Sequence, residues 1–158
     1  MQTLVRDILV ELGLLQRTSF YRDKVFLFAI LAGFVVVVAI RLLLPASIHE
    51  HIPVAPLIIV KWLLWAPLVE ELLFRGVLQG QFYRIWRAQR TLLGFSYANW
   101  ITSLLFSAIH YMHHSPLWAA SVLVPSLIFG YFRDRNRSIL PAIALHAIYN
   151  AQYLLLLG

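Results

Sequence analysis

The sequence lacks cysteine entirely, and only 13% of its 158 residues are charged. Without cysteine the chain cannot form a disulfide, a thiolate-bound zinc site or a thiol nucleophile. So few charges, together with 61% hydrophobic residues and a mean hydropathy of +0.76, are not typical of a soluble globular domain. The composition therefore predicts a membrane protein.

The chain has few acidic residues, and its formal net charge is +6. In a soluble protein this excess would favour a nucleic-acid partner, but here the basic residues are clustered between apolar runs. That distribution is typical of the loops of a protein that crosses a membrane several times. We therefore expect the lipid bilayer, and no nucleic acid, as a partner.

Apolar periodicity predicts an all-α, polytopic membrane helix bundle that forms a single integral membrane domain over residues 1–158. Residues 1–22 read as an amphipathic helix at the membrane surface, because their leucine and isoleucine residues recur at helical intervals among charges. A transmembrane core follows over residues 24–158, and a helix needs about 20 apolar residues to cross the bilayer. Five spans are predicted, at about 24–44, 54–84, 97–114, 116–132 and 138–158.

Basic clusters occur in every second segment outside the predicted spans, counting from the N-terminus. Lys- and Arg-rich short loops stay in the cytoplasm, so the pattern predicts a cytoplasmic N-terminus and five crossings. The clusters are Arg6, Arg17, Arg22 and Lys24 before the first span, Arg84, Arg87 and Arg90 after the second, and Arg133, Arg135 and Arg137 after the fourth.

The stretch "APLVEELLFRGVLQG", residues 66–80, places three ionisable side chains inside an apolar run. Each costs about 2.5–3.5 kcal/mol or more within a lipid-spanning helix, so such residues usually face a partner or a functional site. Glu71 and Arg75 are four residues apart and can form an ion pair on one helix face. Glu70 points about 100° away from that face and has no local partner. Glu70 is therefore the candidate for acid–base chemistry.

Two other predicted spans each contain a histidine four residues, or about one helical turn, from a second residue of interest. "FSAIH" contains Phe106 and His110, and "HAIYN" contains His146 and Asn150. A carboxylate and two histidines that converge on one cavity can deprotonate a water molecule, and an imidazole with an amide can donate hydrogen bonds to an oxyanion. This combination points to hydrolysis of an acyl bond.

These segments fit three motifs in order, E-E-x-x-x-R, F-x-x-x-H and H-x-x-x-N, within a motif-bearing region over residues 66–150. The sequence thereby resembles the CAAX protease and bacteriocin-processing (CPBP) family, also called the ABI family. The resemblance implies a type II CAAX prenyl endopeptidase-like, glutamic-type intramembrane protease with a helical core and no cofactor. It also implies a membrane-anchored protein substrate that is cut near a hydrophobic C-terminal segment.

The resemblance also assigns roles by motif position. Glu70 and the histidine of the second motif would activate the attacking water, and the pair in the third motif would stabilise the oxyanion. The catalytic residues implied are Glu70, His110, His146 and Asn150, and the supporting residues are Glu71, Arg75 and Phe106. Short bacterial members suggest a protein-sorting or processing role in a prokaryotic cytoplasmic membrane.

Two alternatives stay open at this point. Two glutamates and two histidines can bind zinc, and His110, His113 and His114 lie at i, i+3 and i+4, although no H-E-x-x-H motif is present. The same polar residues can also hold together a non-catalytic membrane scaffold. A zinc-dependent membrane protease and a scaffold are therefore the competing hypotheses.

Overall fold

The computed structural model describes residues 6, 9–16, 18–43, 55–85 and 90–157. Within these ranges the backbone is almost entirely helical, which confirms the predicted all-α class. The helices are α1 (Lys24–Leu43), α2 (residues 56–85), α3 (Tyr97–His110), α4 (Pro116–Ser121), α5 (Leu123–Asn136) and α6 (Leu140–Leu157). A short antiparallel hairpin of β1 (Thr91–Leu92) and β2 (Phe95–Ser96) precedes α3 and pairs Thr91 with Ser96.

The predicted interfacial helix over residues 1–22 does not extend through its second half. The described backbone is helical at residues 9–11 and leaves the helix at Leu12, and a single 3₁₀ turn forms at Phe20–Arg22. Gly13 has φ +73°, a left-handed conformation that glycine adopts without strain, so the chain turns there although the leucine spacing continues. The predictions for residues 1–5, 7, 8 and 17 lie outside the described residues.

Among the described residues, three helical segments are long and apolar enough to cross a membrane: Lys24–Leu43, Pro116–Asn136 and Leu140–Leu157. They correspond to the first, fourth and fifth predicted spans, and they support an integral membrane protein. The third predicted span is represented by α3, which has 14 residues. At about 1.5 Å per residue α3 is about 21 Å long, shorter than a hydrocarbon core of about 30 Å. Five crossings are therefore not confirmed.

Helix α2 alternates between α-helical and π-helical turns, and the π turns lie at Lys61–Trp65 and Leu72–Leu78. In the first π turn the Ala66 amide donates to the Lys61 carbonyl, five residues back. The next residue, Pro67, has no N–H, so the Trp62 carbonyl lacks the corresponding donor. That carbonyl instead accepts a hydrogen bond from a side chain of α6, described below.

Helix α6 packs against α1, α2 and α5, and α5 packs against α3. The buried apolar centre between α1, α5 and α6 is formed by Phe26, Ala29, Phe129, Phe132, Ala142 and Leu145. On the other side of α5, Gly130 allows α3 to approach closely. A Cβ atom at Gly130 would lie 2.0 Å from the Asn99 side-chain oxygen, so only glycine fits there.

Candidate active site

Helix α2 carries the two adjacent glutamates immediately before its second π turn. Glu71 Oε2 lies 3.0 Å from Arg75 Nε, and both side chains have 0% exposure. The ion pair predicted from the four-residue spacing is therefore present, and it is fully buried. Buried ion pairs persist only when further hydrogen bonds satisfy the remaining polar atoms.

Arg75 Nη2 has two hydrogen-bond partners on α5, and the guanidinium lies against aromatic rings of α5 and α3. Its Nη2 donates to the backbone oxygen of Ser126 at 2.9 Å and to the hydroxyl of the same residue at 2.8 Å. Its guanidinium carbon lies 5.0 Å from the ring centre of Phe106 and 5.5 Å from that of Phe129. The guanidinium is thus held between two aromatic faces, an arrangement that favours a cation.

The other oxygen of Glu71 contacts α6. Glu71 Oε1 lies 2.9 Å from His146 Nδ1, so this ring nitrogen carries a proton and donates to the carboxylate. The imidazole stacks on Phe129 with 4.9 Å between ring centres. Glu71 therefore links Arg75 to His146, and the hydrogen bond together with the stacking fixes the orientation of the histidine ring.

Glu70 lies on the other side of His146. Its Oε2 is 3.8 Å from His146 Nε2, too far for a hydrogen bond, and its side chain is 32% exposed whereas that of Glu71 is fully buried. No described residue donates a hydrogen bond to the Glu70 carboxylate. Of the two glutamates, Glu70 is thus the one that can reach a molecule entering the site.

His110 occupies the end of α3. Its Nδ1 lies 2.8 Å from the Phe106 carbonyl, so Nδ1 carries the proton and Nε2 of the neutral ring is an acceptor. Its ring packs on Phe106 at 4.3 Å and stacks on Trp118 at 5.7 Å between centres. The imidazole lies within electrostatic range of Glu70. Phe106 thus contacts both His110 and the Arg75 guanidinium.

Asn150 lies one turn after His146 on α6. Its Nδ2 donates to the Trp62 carbonyl at 2.9 Å, the carbonyl that Pro67 leaves without a backbone donor. This bond fastens α6 to the first π turn of α2. The second Nδ2 proton and the amide oxygen of Asn150 are not used in that contact.

Five of the residues singled out from the sequence are linked by direct contacts, namely Glu70, Glu71, Arg75, Phe106 and His146. His110 joins them through Phe106, and Asn150 joins the same helix pair. Among the described residues, no three histidine, aspartate or glutamate side chains are grouped so that they could hold a metal ion.

Three contact residues were missed by sequence reasoning: Ser126, Phe129 and Trp62. Ser126 is a polar residue in an apolar run and was a usable signal, because a buried hydroxyl needs a partner. Pro67 was the signal for Trp62, because a proline inside a helix leaves a carbonyl without a donor. Phe129 has no such signal, since apolar residues surround it in the sequence.

Comparison with known proteins identifies a family. A protein-family model described as Type II CAAX prenyl endopeptidase Rce1-like matches residues 51–152, well over half of the chain and including all seven candidate residues. No curated protein and no solved structure gives a significant match.

Proposed function

The chain belongs to the Type II CAAX prenyl endopeptidase Rce1-like family, and on that premise we propose that it is an intramembrane endopeptidase that hydrolyses a peptide bond near the C-terminal membrane anchor of a protein substrate. The observation that carries the proposal is the environment of Glu70. Its carboxylate is one-third exposed and lacks a hydrogen-bond donor among the described residues, lies 3.8 Å from a ring nitrogen of His146, and is within electrostatic range of His110 on a third helix. A general base must reach its substrate, and Glu71 is too buried to do so.

In the proposed reaction, Glu70 accepts a proton from a water molecule that His110 helps to orient through its free Nε2. The resulting hydroxide attacks the carbonyl carbon of the scissile peptide bond. The proton on Glu70 then passes to the leaving amine as the C–N bond breaks. The carboxylate is thereby restored for the next turnover.

The developing oxyanion needs hydrogen-bond donors. His146 can supply one from Nε2 while Nδ1 still donates to Glu71, which requires the imidazolium form with a proton on each nitrogen. The unused amide proton of Asn150 can supply a second. Glu71 and Arg75 are positioning residues in this mechanism, because they hold His146 and do not reach exposed space.

The direct test replaces Glu70 or His146 with alanine and measures cleavage of a reporter with a C-terminal hydrophobic anchor. Both variants must first show wild-type membrane insertion and far-UV circular dichroism. We expect cleavage to be lost in both, whereas Glu11→Ala, at an exposed glutamate outside the site, should cleave normally. Retained cleavage in a folded Glu70→Ala or His146→Ala variant would contradict the assignment.

A chelator arm separates this mechanism from a zinc-dependent one. Cleavage that persists after treatment with a zinc chelator is expected for a glutamate base. Cleavage that is lost on chelation and restored by added zinc would replace the proposal with a metal-dependent protease. If the wild-type chain cuts no anchored reporter at all, a scaffold becomes the better description.

We propose further that the protein lies in a prokaryotic cytoplasmic membrane with its N-terminus in the cytoplasm, where it sorts or processes anchored proteins. The alternation of basic and non-basic connections supports this orientation. Because the chain has no cysteine, single cysteines can be labelled without background. A membrane-impermeant reagent should label His113→Cys and Arg90→Cys from opposite sides. Labelling of both from one side would refute the proposed orientation.

A further inference from the structure

A cavity of about 630 Å³ lies away from Glu70, between the N-terminal segment, the end of α2 and the end of α5. This volume falls within the range of about 300–1,000 Å³ that is typical of small-molecule sites. Three arginines line the cavity, Arg84, Arg133 and Arg137, together with two acids, Glu11 and Asp134. None of these five residues belongs to the proposed hydrolytic site.

Both acids of the cavity already have partners. The two oxygens of Asp134 accept hydrogen bonds from Gln79 and Ser96, each at 2.7 Å. Glu11 forms an ion pair with Arg84. Both acids of the cavity are therefore engaged by neighbouring side chains.

Two of the three arginines lack an acidic partner of this kind. Arg133 donates to two backbone oxygens, that of Arg75 at 3.3 Å and that of Glu11 at 3.1 Å. Neither Arg133 nor Arg137 forms an ion pair with a carboxylate of a described residue. The described lining thus carries three guanidinium groups against two carboxylates, an excess of one positive charge, although Asp134 also attracts Arg133 electrostatically.

We propose that this cavity binds the phosphate-bearing headgroup of an anionic phospholipid, with Arg133 and Arg137 as its principal contacts. Guanidinium groups bind phosphate oxygens through paired N–H donors. The cavity lies where α2 and α5 end among the basic clusters of the chain, and basic pockets at such helix ends are known to take anionic lipid headgroups. The inference is independent of the peptidase activity, because neither arginine is assigned to the reaction.

Binding can be measured on the full chain in detergent by following its melting temperature during titration with phosphatidylglycerol. Phosphatidylcholine with the same acyl chains and inorganic phosphate are the comparison ligands. We expect phosphatidylglycerol to raise the melting temperature at lower concentration than phosphatidylcholine. Arg137→Gln should raise the half-saturating concentration about fivefold, since one arginine near an anionic surface is worth about 1 kcal/mol.

Arg137 is the better position to test because Arg133 also supports the backbone of α2, so Arg133→Gln is the second variant and is interpreted only if it folds. Arg90→Gln, at an exposed arginine outside the cavity, is the matched control and should titrate like wild type. Equal stabilisation by the two lipids, or wild-type affinity in Arg137→Gln, would overturn the proposal. Equal stabilisation by inorganic phosphate at the same concentration would overturn the lipid source and assign the cavity to free phosphate.

Discussion

Two buried polar clusters lie on consecutive turns of α2, and both join α2 to α5. The candidate active-site cluster consists of Glu70, Glu71, Arg75, Ser126 and His146. The closed cluster consists of Gln79, Asp134, Ser96, Asn99 and Ser103, in which Gln79 also donates to the Gly130 carbonyl at 3.0 Å. A count of buried polar residues does not distinguish the two clusters.

The clusters differ in what happens to their acids. In the closed cluster both oxygens of Asp134 accept hydrogen bonds, and Asn99 donates to the Leu127 carbonyl at 2.8 Å. In the candidate active-site cluster Glu71 accepts a hydrogen bond from His146 at Oε1 and forms its ion pair with Arg75 at Oε2, whereas Glu70 is partly exposed and has no donor among the described residues. An acid whose oxygens both accept hydrogen bonds stabilises the fold, whereas an exposed acid that accepts none and lies beside a histidine is available for chemistry. The comparison supports the proposed catalytic role of Glu70, which is the one acid of the two clusters that accepts no hydrogen bond from a described residue.

The largest effect that would test this comparison comes from removing one charge in each cluster without changing shape. Glu70→Gln should lower kcat/KM for reporter cleavage by roughly 10²–10⁴-fold, the usual contribution of general acid–base catalysis, and leave the melting temperature unchanged. Asp134→Asn should instead lower the melting temperature and leave kcat/KM unchanged. Its amide nitrogen would face a donor, which costs about 1–3 kcal/mol of unfolding free energy, while activity per folded molecule stays normal.

Both variants can be assayed in one preparation by single-turnover cleavage and thermal melting. If Asp134→Asn lost activity at full folding while Glu70→Gln kept it, the clusters would have been assigned the wrong way round. Equal losses of activity in both would show that the two networks act as one unit.

The next effect concerns the buried ion pair of Glu71 and Arg75, which both stabilises the fold and holds the candidate site. Arg75→Met leaves Glu71 buried without its cation, and breaking one partner of a buried pair costs about 3–5 kcal/mol. Adding Glu71→Gln removes the stranded charge, so the double variant should recover much of that loss in a denaturant titration. A double variant no more stable than Arg75→Met would show that the guanidinium contacts with Ser126 and the aromatic rings matter more than the pair.

The sequence predicted the Glu71–Arg75 pair because four-residue spacing fixes geometry within one helix, and the structure confirms it. The hydrogen bond from His146 to Glu71 could not be predicted in this way, because it depends on how α6 packs against α2. The same limit applies to the N-terminal segment, where leucine spacing predicted a helix but Gly13 turns the chain. The catalytic roles of Glu70, His110, His146 and Asn150 stay predictions, since contacts alone do not measure chemistry.

A smaller effect tests whether the closed cluster depends on close helix packing. Gly130→Ala would place a Cβ atom 2.0 Å from Asn99 Oδ1, and overpacking of this kind costs typically about 1–3 kcal/mol. Gly80→Ala is the matched control, because the nearest atom to its new Cβ is 3.8 Å away. Alanine is favoured over glycine in a helix by about 0.5–1 kcal/mol, so this control should be slightly stabilised. Equal melting temperatures for the two variants would contradict the tight α3–α5 contact.

The smallest expected effect lies outside both clusters, at the start of α1. Asp23 accepts hydrogen bonds from Arg135 Nε at 2.8 Å and from the Val25 amide at 2.9 Å. The hydrogen bond from Arg135, followed by that from Val25, holds the pKa of Asp23 below its usual value. Because the folded-state pKa is the lower one, this contribution to stability is complete above the unfolded-state pKa and is lost as the pH falls through the folded-state pKa.

Asp23→Asn keeps an oxygen that can cap the helix but loses the charge. Its melting temperature should therefore lie slightly below that of wild type at pH 7, and the two should converge as the pH falls below about 4, near the unperturbed pKa of an aspartate. A difference between the two chains that is constant across this range would show that the exposed pair contributes through shape alone, unlike the buried pair of Glu71 and Arg75.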